Sequence, residues 1–161
     1  AAWERVARKE RAGEVPDGDE AARMRLLVML AKTCSTRRCT QRVHEAMMLL
    51  GGNGIEERFS ALPRLWRDSI IMETWEGPHG LLLTRCLMDA MKFGAGDDPH
   101  GFTALLLGAD GADSPETRAL GSQLEALVGE ADPRTRMVAF ERWAVDFYDQ
   151  FGALATARVS S

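Results

Sequence analysis

The longest helical pattern of the chain runs from Glu20 to about Leu50 and contains no proline or glycine. Asp19 is a suitable N-cap for this helix, and Gly51 is the residue type that commonly follows a helix C-terminus. The pattern therefore predicts one helix of about 30 residues, roughly 45 Å long at about 1.5 Å per residue. Apolar residues leave little polar face in its first half, as is typical of a central helix in a bundle: Met24, Leu27, Val28, Leu30 and Ala31.

Shorter amphipathic segments lie on both sides of this helix. The first twelve residues are predicted to end a helix, with Trp3 and Val6 on its apolar side. After a glycine-bearing loop from Gly51 to Pro63, the pattern predicts a helix over Arg64–Trp75 whose inward residues are Leu65, Trp66, Ile70, Ile71 and Trp75. Gly77 is then a candidate N-cap and Pro78 fits the first position of a helix that runs to about Phe93.

The C-terminal part of the chain repeats the same kind of helix start. A break at Gly94–Pro99 precedes a short predicted helix, His100–Leu107. Ser114 before Pro115 starts a helix that ends near Gly129, and Asp132 before Pro133 starts a last helix that reaches about Arg158. The apolar residues predicted to form the packing face of that last helix are Met137, Phe140, Val145, Phe147 and Tyr148.

No strand pattern and no repeat is present, so the predicted fold class is all-α. We expect an antiparallel helical bundle over residues 1–93, with an additional C-terminal helical segment over residues 94–161 packed on it.

Composition excludes several functional classes. The 161 residues, 45% apolar and 27% charged, fit a soluble globular domain, and the net charge of −4 argues against a general nucleic-acid binder. The longest apolar run, Leu26–Ala31, is too short to span a membrane. Cys34, Cys39 and Cys86 lack metal-site spacing and are interpreted as three buried thiols in a reducing cytoplasm. Because the first residue is Ala1 and not Met, we expect a piece of a longer chain.

Candidate chemistry is concentrated where the two middle helices meet, at Glu76 and Gly77. A glutamate is an effective base near neutral pH when apolar surroundings raise its pKa above about 4.3, and Trp75, Ile71 and Leu81 are candidate walls. The positive end of the following helix opposes that shift. A solvated glutamate at a helix start is the alternative interpretation, and the residues alone leave both open.

Three motifs occur in a characteristic order: GGNG at 51–54, RLWRD at 64–68 and W-E-G at 75–77. Together they resemble the C-terminal helical domain of the acyl-CoA dehydrogenase family of flavoproteins, over about residues 20–93. The resemblance implies α,β-dehydrogenation of an acyl-CoA thioester, with Glu76 removing the α-proton and with Gly77 and Trp75 at the substrate. It also implies FAD as cofactor, an electron acceptor, and a homodimer or homotetramer of a parent chain without which this piece is inactive.

The resemblance assigns FAD contacts at two places. The end of the long helix and its double glycine would meet the FAD of a neighbouring subunit, through Met48, Leu49, Leu50, Gly51 and Gly52. The turn after the base would contribute Pro78, His79 and Gly80. Two residues depart from the family pattern, because Met48 stands where glutamine is common and Pro78 stands in a usually threonine-rich turn, and neither replaces the lost hydrogen bonds. A plain helix stop at the glycines and a surface role for His79 are the alternative interpretations.

Other roles stay open at this point. Arg64, Arg67 and Asp68 are interpreted as structural ion-pairing residues, and the three histidines show no metal-site spacing. W-E-G followed by a long helical tail is similar to the branch that contains the alkylation-response protein AidB, for which DNA association has been proposed. Arg37, Arg38 and Arg42 would be the basic cluster for such a role. A non-catalytic helical module for assembly is a further alternative.

Overall fold

In a computed structural model, the chain is described over residues 7–9, 11–14, 18–75, 77–108 and 113–160. The regular elements in these ranges are helices, which confirms the all-α prediction. The predicted apolar residues Trp3 and Val6 and the candidate base Glu76 lie outside the described residues. The named helices are α1 (Gly18–Leu49), α2 (Gly52–Ile55), α3 (Leu62–Thr74), α4 (His79–Ala90), α5 (Pro99–Leu107), α6 (Pro115–Gly129) and α7 (Pro133–Ser160).

The C-terminal end of the long helix α1 agrees closely with the prediction, and its N-terminal end agrees less well. It begins at Gly18, so Asp19 lies inside the helix and not at its N-cap. It ends at Leu49, and the chain leaves it through Gly51 at a φ of +54°, where a side chain would be strained. In its first half, the buried residues Ala22, Leu26 and Leu30 follow one face, whereas Val28, which the apolar pattern included, is half exposed.

Internal contacts divide the chain into two compact units. The large unit comprises residues 1–30 and 83–161, and the junction unit comprises residues 31–82. Helix α1 begins in the first and continues into the second, and α4 does the reverse. The predicted division at residue 93 follows the family resemblance instead of these contacts, and it stays a prediction.

The core of the large unit is built on one side of α7. Phe140, Trp143 and Phe147 are buried and stack in sequence, with ring centroids 5.5 and 5.2 Å apart. The Trp143 indole donates a 3.0 Å hydrogen bond to the Leu120 carbonyl of α6. The burial of Phe140 and Phe147 confirms the predicted packing face, but Val145 is exposed and Trp143 takes its place. Burying such an indole requires a partner for its N–H, and the α6 carbonyl supplies it.

The predicted caps of the C-terminal helices are present. Ser114 Oγ accepts from the Thr117 amide at 3.1 Å at the start of α6. At the start of α7, Asp132 Oδ2 accepts from the Thr135 hydroxyl at 2.7 Å and from its amide at 2.8 Å. These two donors hold the pKa of the Asp132 carboxyl below its usual value.

In the junction unit, α3 runs antiparallel to the second half of α1. The His44 ring lies 6.5 Å from the Trp66 indole, and further back along α1 Arg37 forms a 3.6 Å ion pair with Glu73. The side of α3 that packs in this unit therefore includes Trp66 and Glu73, together with the buried Ser69.

The predicted inward face of α3 is wrong in part. Leu65, Ile71 and Trp75 are about half exposed or more, and Ile70 is exposed as well. Apolar residues occur on more than one side of this helix, so periodicity favoured its most apolar side. The contacts with α1 are made instead by the side that carries polar residues able to pair across the interface.

The structure also bears on the predictions about membrane spans and cysteine burial. No helix in the described part of the chain is long and apolar enough to cross a membrane. Cys34 and Cys86 are buried, but Cys39 is exposed, so the prediction of three buried thiols is wrong at that position.

Candidate functional site

The site begins where α3 ends. Trp75 leaves the helix with extended backbone angles, φ −64° and ψ 138°, while its amide still donates to the Ile71 carbonyl at 2.9 Å. Gly77 has a φ of +128°, and its amide donates to the Thr74 carbonyl at 3.2 Å. Since L side chains rarely adopt such a φ, the glycine is required by the backbone of this turn. The described residues thus define the chain on both sides of position 76.

A lysine from α1 binds this junction from the outside. Lys32 Nζ donates to the Trp75 carbonyl at 2.6 Å, to the Glu73 carbonyl at 3.3 Å and to the Gly77 carbonyl at 3.5 Å. Three backbone carbonyls on both sides of position 76 therefore converge on one ammonium group. Sequence reasoning missed Lys32. The available signal was a single cation directly after the apolar run that ends at Ala31.

An ion pair also fixes this end of α3. The Glu73 carboxylate lies 3.6 Å from Arg37 of α1, and its side chain is largely buried. Arg42 forms a 2.8 Å ion pair with Glu45 along α1. Two arginines of the cluster considered for DNA contact thus have carboxylate partners within the chain, which reduces the positive charge they offer to a phosphate backbone.

A small open cavity adjoins the junction. It has a volume of about 270 Å³ and is lined by Lys32, Thr36, Met72 and Trp75. The Trp75 indole is 65% exposed and forms one of its walls. Wider grooves of about 410 and 470 Å³ lie between α6 and α7, but they include none of the residues predicted for the site. Of these three spaces, the smaller cavity is the one lined by a residue predicted for the site, Trp75.

The glycine motif at 51–54 separates into positions with different physical roles. Gly51 has the positive φ that ends α1, and at Gly54 a Cβ would collide with the Met47 carbonyl. At Gly52 a Cβ would meet nothing within 4 Å. The fold accounts for Gly51 and Gly54 but not for Gly52.

The residues before these glycines are exposed. Leu49 is 88% exposed, and Met48 and Leu50 are about half exposed. An exposed apolar helix end followed by a glycine with open space beside its Cα permits close backbone approach by a planar or dinucleotide group. In this respect the residues present fit the flavin contact that the sequence resemblance assigns to them.

The second predicted cofactor group lies at the start of α4. The helix begins at His79, so Pro78 stands one residue before it, where its carbonyl accepts from the Leu82 amide at 3.1 Å. Pro78 therefore occupies the capping position and not the first helical position that the sequence predicted. His79 is half buried, and at Gly80 a Cβ would again meet nothing within 4 Å.

The two sets of residues predicted to contact FAD, 48–52 and 78–80, are not brought together within this chain. The turn at 78–80 follows the junction that Lys32 binds, whereas Met48 lies sixteen positions further along α1. At about 1.5 Å per residue, that distance is roughly 24 Å along the helix axis. Within the described residues, no group of three His, Cys, Asp or Glu side chains is arranged to hold a metal ion.

The glycine-bearing loop between α1 and α3 is connected to α3 by an ion pair. Arg67 forms an ion pair with Glu57 of the glycine-bearing loop. This pairing agrees with the structural interpretation of the RLWRD motif, because it connects the loop after α1 to the first turns of α3.

Comparison with known proteins gives one finding. Residues 2–91, which are 90 of the 161 residues, match the family model described as acyl-CoA dehydrogenase, C-terminal domain. No curated protein and no solved structure gives a significant match to the chain. The matched range includes the glycine motif, all of α3 and the junction at 75–77.

Proposed function

The chain belongs to the acyl-CoA dehydrogenase family, and on that premise we propose that it supplies the catalytic base of an FAD-dependent α,β-dehydrogenation of an acyl-CoA thioester. The observation that carries the proposal is the family match across the W-E-G motif. Glu76 is the base in this proposal, and Gly77 and Trp75 contact the substrate.

The reaction removes two hydrogens from adjacent carbons. The Glu76 carboxylate takes the α-proton, for which it must lie within hydrogen-bonding reach of the α-carbon. Bound FAD, held by Met48–Gly52 and Pro78–Gly80, would supply the acceptor for the hydride that leaves the β-carbon. The C–H bonds at both carbons break, a carbon–carbon double bond forms, and the product is an α,β-unsaturated acyl-CoA with the proton on Glu76.

Neighbouring residues support this assignment chemically. Trp75 and Met72 give the cavity beside the junction an apolar wall, which suits an acyl chain, since ligand sites are lined mainly by apolar groups. Gly77 has no side chain that would obstruct a thioester approaching position 76. The same cavity includes Lys32, whose ammonium is turned toward backbone carbonyls.

We assign FAD contacts to Met48–Gly52 and to Pro78–Gly80 as two separate groups. Open space beside Gly52 and Gly80 supports close backbone approach at each of them. The separation of roughly 24 Å along α1 supports contacts with different cofactor molecules, as expected in a homodimer or homotetramer. Met48 offers a thioether in place of an amide, and Pro78 offers a carbonyl but no N–H, so these positions contribute packing more than hydrogen bonds.

The test uses the full protein with bound flavin, mixed without oxygen with a panel of acyl-CoAs. We expect at least one acyl-CoA to bleach the flavin absorbance of the wild type. Since a general base contributes about 10²–10⁴-fold to a rate, Glu76→Gln should slow bleaching by that factor.

Glu56→Gln, the same change at an exposed loop position, is the matched control and should behave as the wild type. Wild-type bleaching rates in Glu76→Gln would show that the base is another residue. A flavin-loaded wild type that no acyl-CoA bleaches would contradict the dehydrogenase proposal itself.

A further inference from the structure

The end of α3 presents backbone carbonyls that the helix itself cannot satisfy, because the last four carbonyls of a helix lack intrahelical donors. Two of these four accept from local donors. The Ile71 carbonyl accepts from the Trp75 amide and the Thr74 hydroxyl, and the Thr74 carbonyl accepts from the Gly77 amide. The Glu73 carbonyl accepts from a distant residue, Lys32 of α1.

Lys32 does more than cap a helix. Its shortest hydrogen bond, at 2.6 Å, goes to the carbonyl of Trp75, which lies beyond the helix, and a longer one of 3.5 Å reaches the Gly77 carbonyl on the far side of position 76. An ammonium group has three N–H donors, and three carbonyls lie within its range. The cation also lies at the negative end of the α3 dipole, where a positive charge is stabilising.

We propose that Lys32 is a positioning residue for catalysis: it binds the Trp75 and Gly77 carbonyls, which lie on either side of position 76, and thereby fixes the backbone from which the base extends. This inference rests on the function proposed above. It assigns Lys32 no contact with the reacting atoms. Its effect passes through the carbonyls of Trp75 and Gly77.

The expected magnitude follows from the sensitivity of catalysis to geometry. A misplacement of about 1 Å at a catalytic group can lower a rate by about 10²-fold. Lys32→Met keeps the aliphatic length but removes all three donors, so we expect kcat to fall by about 10- to 100-fold. Because Lys32 supports the base and not the substrate, KM should change by less than about threefold on the same reasoning.

Lys32 also lines the cavity at the junction, which provides a competing role as a substrate contact. The two roles differ in kinetics. Loss of a uniform substrate contact raises KM with kcat unchanged, whereas loss of positioning lowers kcat with little change in KM. Steady-state kinetics of the flavin-loaded full protein therefore separates them.

Lys32→Arg and Lys92→Met complete the kinetic series. Arginine retains a cation and several donors, so we expect Lys32→Arg to recover a substantial part of kcat. Lys92→Met makes the same charge change at an exposed position after α4 and should match the wild type. If Lys32→Met does not fold, Lys32→Arg still tests the proposal, because it should have a wild-type KM and a kcat between those of the wild type and Glu76→Gln.

Amide hydrogen exchange provides a readout that does not depend on activity. The Trp75 and Gly77 amides donate to carbonyls at the α3 end, so loosening of the junction should speed their exchange. We expect faster exchange in a peptide covering 74–77 in Lys32→Met and no change in Lys92→Met.

The outcomes are distinguishable. A lowered kcat with faster exchange supports the proposal, and a wild-type kcat in Lys32→Met, or a raised KM with kcat unchanged, overturns it. If none of the acyl-CoAs bleaches the flavin of the wild type, the proposed function fails and the catalytic role of Lys32 fails with it. Faster exchange in the variant would then identify Lys32 as a structural brace of the junction and nothing more.

Discussion

Two alanine substitutions in the glycine motif test whether its positions have the separate roles described above. Gly52 and Gly54 both lie in the short helix α2, so each substitution removes the same backbone freedom from the unfolded chain. They differ in their surroundings. A Cβ at Gly52 enters open space, whereas a Cβ at Gly54 would collide with the Met47 carbonyl and lie 2.9 Å from its carbonyl carbon.

The two effects have opposite signs and known sizes. Replacing a helical glycine by alanine stabilises by about 0.5–1 kcal/mol where there is room. Forcing an atom into a packed site costs about 1–3 kcal/mol, and here the obstacle is backbone that cannot rotate away. The Met47 carbonyl also accepts the 3.2 Å bond from the Leu50 amide at the end of α1, so displacing it weakens that turn. We expect Gly52→Ala to be neutral or stabilising and Gly54→Ala to be destabilising.

Urea unfolding followed by circular dichroism measures the difference between the two variants. Because the backbone contribution is common to both, the difference isolates the steric cost of about 1–3 kcal/mol. At an m-value of about 2 kcal/mol/M this corresponds to about 0.5–1.5 M urea between the midpoints. Equal midpoints with equal m-values would refute the close approach of Gly54 to α1. Gly52→Ala in the full protein should still lower flavin content, since the added methyl group occupies the space assigned to the cofactor.

Three further predictions concern other turns and caps. Gly77→Ala should destabilise by about 1–3 kcal/mol in thermal unfolding because of its φ of +128°, whereas Gly80→Ala, which has room, should not. Ser114→Ala should cost about 1 kcal/mol by removing the α6 cap, with the exposed mid-helix Ser122→Ala as its control. The folded pKa of Asp132 lies below its unfolded value of about 3.9, so its stabilising effect is present above that pH and is lost as pH falls through the folded pKa. The stability difference between wild type and Asp132→Asn should therefore shrink on acidification below about pH 4, and a difference that stays constant in urea titrations from pH 7 to pH 2 would contradict this.

The helices were predictable because their ends depend on local chemistry. Ser114 and Asp132 cap the helices they precede, and Gly51 provides the positive φ that ends α1. Such signals act within about four residues, so a single sequence contains them completely. The boundary predictions at Asp19 and Pro78 are displaced by two residues and by one residue, which is within the usual uncertainty of helix ends.

The exposed residues were not predictable in the same way. Apolar composition identified Leu65, Ile71 and Trp75 of α3 as inward, but burial depends on which side of the helix meets α1. That choice is made by the register of two helices and by cross-helix pairs such as Arg37 with Glu73. Periodicity describes one helix at a time and contains no information about register between helices.

The junction at 75–77 depends both on local sequence signals and on packing between helices. This explains why the W-E-G motif was visible in the sequence while the lysine that binds the junction was not. W-E-G is local: a helix end, a carboxylate and a glycine with positive φ lie in three consecutive positions. Its geometry, however, depends on Lys32, more than forty residues earlier, which binds carbonyls on both sides of the carboxylate position. In the sequence, Lys32 is an ordinary lysine after an apolar run. Its partners are backbone carbonyls, which every residue has, so no residue type in the sequence identifies them. A motif can therefore indicate a candidate base, but the lysine that we propose to position it becomes apparent only when α1 and α3 are seen packed together.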